Sequence, residues 1–383
     1  MNFYTAEDER RIRWQALVRE WTKSGLLDAA QGEAFDAELR VNVRRTNNFL
    51  RAGLALFTAL VVAASVALVG VLFDLDDEFA LAVLAGGSAV GCLKLAQMLV
   101  VRQRFYRFGV EEALAVGSVF LTGIGTAAFV DALDLFDRSR PPLIAGLLAS
   151  AAGFFGIYRR FGYVYAAIGT LACVAAVPFQ LDVPPPVERS LAAATLLVGF
   201  VIARGLRSRA DDEYPGDDYT LVQAAAWAGI YLTLNLELFP ARIGGGFYWF
   251  TYLATWLLPI AGLFLGIRDR DRALLDVSLV TMLVTLLTNK SYLGWPRHEW
   301  DPIVLGVFLM AVGVGVRRWL AAGPSEQRGA FTAARILDRE RGAVTVLGTV
   351  SARFHPHAPS MAEPTDDGFK GGRSGGGGAT GSF

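Results

Sequence analysis

NNFLRAGLALFTALVVAASVALVGVLF, residues 47–73, decides the fold class. From Ala52 to Phe73 it carries no charge, and its only hydroxyls are Thr58 and Ser65. A helix rises about 1.5 Å per residue and the hydrocarbon core of a bilayer is about 30 Å thick, so roughly 20 such residues cross it. The apolar side chains of this run must face lipid.

Similar runs fill most of the chain. It has 383 residues, 53% of them hydrophobic and 19% charged, with a mean hydropathy of +0.39, above that of an ordinary soluble domain. The pattern predicts an all-α, polytopic transmembrane helical bundle of about ten spans. They fall at 52–73, 79–101, 110–130, 142–158, 161–181, 187–203, 219–239, 247–267, 273–288 and 302–320. Eight spans are the alternative, because Glu188 and Arg189, Asp276, and Arg317 and Arg318 lie in or near the ends of the sixth, ninth and tenth. Arginines at span ends can snorkel to the headgroups.

Loop charge tests this map. Cytoplasmic loops are rich in Lys and Arg. Alternate loops carry Arg102, Arg104, Arg107, Arg159, Arg160, Arg204, Arg207, Arg209, Arg268, Arg270, Arg272, Arg317 and Arg318, thirteen in all. The other loops carry six: Arg138, Arg140, Arg189, Arg242, Lys290 and Arg297. The bias places both termini in the cytoplasm (N-in, C-in). Phe247, Tyr248, Trp249 and Tyr252 then form an aromatic belt at the outer surface. The strings RFYRFG at Gly109 and YRRFGY at Gly162 recur, with later inner turns at the same spacing of 53 residues. Stacked two-helix units would give this spacing, and so would two spans and their loops in any bilayer.

Residues 1–50 read as a cytoplasmic helical hairpin. Thr5 with Asp8, and Asp28 with Gln31, have capping-box spacing, and Gly25 ends the first helix. Trp14, Leu17, Val18 and Trp21 form an apolar stripe against which Phe35 and Leu39 pack. The N-terminus MNFYTAEDERRIRW has no apolar core of its own, so the first span is expected to direct insertion into a plasma (inner) membrane. Residues 51–322 form the transmembrane bundle. Residues 323–383 form a cytoplasmic, largely disordered tail ending in GFKGGRSGGGGATGSF.

The motifs argue against catalysis and cofactors. The histidines are His298, His355 and His357, so no intramembrane serine has a histidine base. His298 and Glu299 begin a zinc-protease string, but Pro302 stands where the second histidine should be. No metal or other cofactor is expected, and the tail glycines lack the lysine of a phosphate-binding loop. Cys92 and Cys173 lie inside apolar runs as small hydrophobes. With 36 basic and 36 acidic residues, nothing indicates a nucleic-acid partner.

Ionisable groups at bilayer depth are the functional clues, since burying them unpaired is costly. Lys94 lies in the inner third of the second span, where it either snorkels or lines a cavity. Asn235 and Glu237 in the seventh span, and Asn289 and Lys290 in the ninth, lie near the outer ends of their spans, so the geometry allows a contact of Glu237 with Lys290 at one depth. A structural interhelical pair accounts for them more simply than a site does. The outer acids Asp74, Asp76, Asp77, Glu78, Asp131, Asp134, Asp137 and Asp182 read as solvated. Gly87 with Gly91, and Gly262 with Gly266, have the spacing that lets helices approach within the bundle.

WQALVREWTKSGLLDAAQGEAFDAEL followed by the first span resembles a broad class of bacterial multi-pass membrane proteins of unknown function, through Trp21, Gly25, Leu26 and Gln31. The tail, with Gly375 to Gly378, Gly381, Ser382 and Phe383, is similar to glycine-rich C-termini of bacterial membrane proteins that carry a TPM domain, although those usually end in tryptophan. No such domain is visible. The resemblance implies a membrane location and partnership with other envelope proteins. The expectation is therefore a non-enzymatic scaffold or accessory subunit, contacting the bilayer and other membrane proteins through the hairpin or tail. A transporter or channel for a small solute is the alternative.

Overall fold

The computed structural model describes residues 6–23, 25–75, 77–133, 140–207, 218–238, 243–269, 271–296, 298, 300–323, 327–328 and 331–332. They divide into two compact units, residues 1–299 and 300–383. The first contains α1 (Ala6–Lys23), α2 (Ala29–Glu38), α3 (Asn48–Leu72), α4 (Glu78–Gln103), α5 (Val110–Ala132) and α6 (Arg140–Phe161). It continues with α7 (Val164–Ala176), a 3₁₀ turn (Val177–Gln180), α8 (Pro185–Arg207), α9 (Asp218–Leu234), α10 (Gly246–Arg268) and α11 (Arg272–Tyr292). The second holds α12 (Asp301–Ala321) and the paired two-residue strands β1 (Gln327–Arg328) and β2 (Phe331–Thr332). These strands fall in the stretch expected to be tail, and the glycine-rich end lies outside the described residues.

Each of the ten predicted spans falls on one of the helices α3 to α12. Seven of them, α3, α4, α5, α6, α8, α10 and α11, are long and apolar enough to cross a membrane. The chain is thus a helical membrane protein. Helix starts follow from capping: Asn47 accepts the Leu50 N–H at 2.7 Å, Asp77 that of Ala80 at 3.2 Å and Asp271 that of Leu274 at 3.1 Å. Pro141 and Pro142 sit in the first turn of α6, where no N–H is needed. Gly109 (φ 107°) and Gly162 (φ 70°), the recurrent glycines of the two basic turns, take the left-handed backbone there.

Successive helices from α4 to α11 pack antiparallel, so their basic turns gather at one end of the bundle. Small residues bring α5 and α6 together: a Cβ on Gly146 would lie 2.8 Å from the Gly123 carbonyl. Gly262 and Gly266 face α11 as expected, but Gly87 and Gly91 meet nothing within 4 Å, so the close approach of α4 to α5 uses Gly125 against Ala82 and Ala85 instead. Cys92 belongs to an apolar cluster that Cys173 packs against, and both thiols are free. Peripheral α3 has no buried residue.

Two spans end earlier than predicted. The helix of the fifth span, α7, stops at Ala176, because Pro178 has no N–H to continue the ladder and one 3₁₀ turn follows. That of the seventh span, α9, stops at Leu234, because the next backbone donors are captured elsewhere. Leu236 N–H binds the Tyr292 hydroxyl at 2.7 Å and Glu237 N–H binds Asn235 Oδ1 at 3.1 Å.

Candidate functional site

The most polar part of the interior is a seam between α9, α10 and α11. Its composition follows from helical spacing. α11 turns Ser278, Thr281, Thr285, Thr288 and Tyr292 inward, α10 turns Thr251, Thr255, Pro259, Gly262 and Gly266 inward, and Gln223, Trp227, Tyr231 and Asn235 follow one another at four-residue steps along α9. Most seam hydroxyls on α10 and α11 bind carbonyls of their own helix, as Ser278 does to Leu274 and Thr255 to Tyr252, so threonine and serine are tolerated there.

Thr285 differs in that it also reaches across. Pro259 cannot donate to the carbonyl four residues earlier, that of Thr255, and Thr285 Oγ1 lies 2.8 Å from that oxygen. The single Thr285 proton is shared between that oxygen and the Thr281 carbonyl of its own helix at 2.9 Å, so Tyr231 is the donor in the 2.8 Å contact to Thr285 Oγ1. Asn235 Nδ2 in turn donates to Tyr231 Oη at 3.0 Å. One directed chain thus runs from the end of α9 to the carbonyl freed in α10, and it ties three helices together inside the bundle.

At its other end the seam is not fully paired. Gln223 is completely buried, and among the described residues neither of its amide atoms nor the Trp227 indole N–H has a hydrogen-bond partner. A native protein rarely leaves such groups bare unless water or a ligand meets them.

The residues singled out from the sequence separate. Asn235 sits at the head of the relay, and Asn289 Oδ1 accepts the Tyr252 hydroxyl at 2.9 Å. Half-buried Glu237 lies 3.5 Å from the Tyr248 hydroxyl; among the described residues it is not paired with Lys290. Lys94 is exposed on the outer face of α4. Arg189, read as a snorkelling terminal residue, is 8% exposed and turned inward, where it donates to the Thr233 carbonyl at 2.9 Å. The reason is its place on the face of α8 that packs on α9.

At the basic end, ion pairs fasten the helix ends. Arg204 meets Asp269 at 2.6 Å, Arg207 meets the buried cap Asp271 at 2.5 Å, and Arg51 of α3 grips Glu112 of α5 through Nε and Nη2. Beside that grip Glu111 is fully buried, one oxygen accepting the Phe108 N–H at 2.6 Å; the other, like the Tyr165 hydroxyl, has no hydrogen-bond partner among the described residues. The sequence reading missed both glutamates, although acids in the first turn of a helix are favoured by its dipole.

The hairpin is attached at the same end. Arg44 pairs with the turn after α4, its N–H to the Arg104 carbonyl at 2.9 Å and its carbonyl to the Tyr106 N–H at 3.1 Å. Arg45 binds Gln15 of α1 at 2.9 Å, and Gln15 binds the Leu39 carbonyl at 2.9 Å. The Asp28–Gln31 capping box forms with both bonds, whereas Thr5 lies outside the described residues. Of the expected stripe Val18 is buried, but Trp14 and Trp21 remain 40% and 38% exposed and meet edge to face at 6.5 Å. Phe35 is also exposed.

Among the described residues no three of His, Cys, Asp and Glu are placed to hold a metal. Compared with known protein families, with characterised proteins and with solved structures, the chain matches none. Its class therefore rests on the fold itself: a helical membrane protein with a polar seam and an attached hairpin.

Proposed function

We propose that this protein is a non-enzymatic scaffold or accessory subunit of the plasma membrane, with the N-terminal hairpin as its contact element in the cytoplasm. The attachment of that hairpin carries the reading. Backbone pairing through Arg44 and the Arg45–Gln15–Leu39 bonds hold it against the bundle, while the Trp14–Trp21 pair faces outward. A solvated stalk has no use for a fixed position and two exposed indoles, whereas paired aromatic anchors are typical of contact surfaces. Replacing both tryptophans by alanine should remove membrane partners that co-purify in mild detergent, with the melting temperature of the bundle unchanged. An unchanged set of partners sinks this reading.

Passage of a small polar solute along the seam is the second reading, supported by the bare Gln223 amide and Trp227 indole. Gln223→Leu should then abolish flux in proteoliposomes, and Glu237→Gln should reduce it if the solute leaves past Tyr248. Absence of flux by the unaltered protein for small polar solutes and ions removes this alternative.

A further inference from the structure

A cavity of about 560 Å³ lies between α7, α8 and α9, a size typical of small-ligand sites. It arises because α7 gives way to a 3₁₀ turn after Ala176 and because the facing residues, such as Ala172, Ala175 and Gly229, are small. The lining is almost wholly apolar, with one charge, that of Arg189, at one end. There the guanidinium is fixed by its bond to the Thr233 carbonyl, at 2.9 Å. On α9 the lining runs from Thr233 back to Ala225, about 12 Å at helical rise, so the cavity is a trough with a cationic end.

We infer that this trough holds an acyl chain of an anionic phospholipid, with its phosphate against Arg189. Charge and shape together select that occupant. A guanidinium fork suits phosphate oxygens, and the apolar trough suits a hydrocarbon chain continuing from the same molecule. The source is the surrounding bilayer, because Ala172, Phe179 and Leu232 of the lining are exposed on the outside of the bundle, and Ala172 lies within an apolar helix. Arg189 belongs to the end away from the basic turns, so the lipid comes from the leaflet on that side.

Native mass spectrometry of the full chain in detergent, supplied with equal phosphatidylglycerol and phosphatidylcholine of identical chains, tests this. The unaltered protein should keep one phosphatidylglycerol under activation that strips phosphatidylcholine, with a preference of about tenfold, since both lipids offer a phosphate but the choline cation of the second offsets its charge beside Arg189. Ala172→Trp, which fills the trough from an exposed position, should lose retention of both lipids. Arg189→Gln should retain the two lipids equally, and Arg189→Lys should keep a reduced preference. Equal retention of the two lipids by the unaltered protein, or full retention by Ala172→Trp, would overturn the inference.

Discussion

Thr285 is the residue on which the α9–α11 seam depends. It accepts from Tyr231 and shares its proton between the Thr255 carbonyl and the Thr281 carbonyl of its own helix, so Thr285→Val removes both interhelical bonds while keeping the shape of the side chain. Interhelical hydrogen bonds in membranes average about 0.6 kcal/mol and reach about 1.7, so the two together should cost about 1–2 kcal/mol. Thr285→Ser keeps the hydroxyl and should cost clearly less. Thermal unfolding in detergent compares them, and equal losses would mean that packing, not hydrogen bonding, is what matters at this position. The sequence showed this site only in part. Asn235 and Asn289 were found because amides stand out at span ends, but Tyr231 and Thr285 were not, because hydroxyls that bind their own helix are unremarkable in a span. Pro259 was the available signal: a proline inside a span frees a carbonyl that something must satisfy.

The helix α10 can run through Pro259 because α11 supplies the missing donor. Pro259→Ala restores an N–H to the Thr255 carbonyl, so in that background the Thr285 hydroxyl is no longer needed there. The double-mutant cycle of Pro259→Ala with Thr285→Val should show a coupling of about 1 kcal/mol, with Thr285→Val milder once the proline is gone. Strict additivity would separate the two residues and leave the threonine without its proposed task. The same donor logic sets the ends of α7 and α9. Run length predicted the helices themselves, since about 20 apolar residues have no other stable form in lipid. Their true ends depended on Pro178 and on Tyr292, which takes the Leu236 N–H. The first is local and readable. The second is a contact 56 residues away in sequence, beyond any periodicity.

The number of crossings and their direction belong to the whole molecule. Seven helices are long and apolar enough to cross, and ten crossings with both termini inside require α7 with its 3₁₀ turn, α9 and α12 to cross as well. The antiparallel packing from α4 to α11 sends α7 and α9 the full way between their neighbours, and the loop cations divide thirteen to six, which omission of any one interior span would scramble. Single cysteines read by a membrane-impermeant maleimide decide the matter, since Cys92 is buried and Cys173 half-buried within apolar helices. Asp182→Cys, before α8, and Gly244→Cys, before α10, should be labelled in intact cells. Ala30→Cys in the hairpin and Ser382→Cys in the tail should be labelled only after permeabilisation. Labelling of Ser382→Cys alone among the inner pair means an odd number of crossings. If Asp182→Cys and Gly244→Cys still label from outside, the missing crossing lies beyond Gly244. If Gly244→Cys also turns inside, it lies between α8 and α10, and α9, at 17 residues the shorter of the two, is the helix that fails to cross.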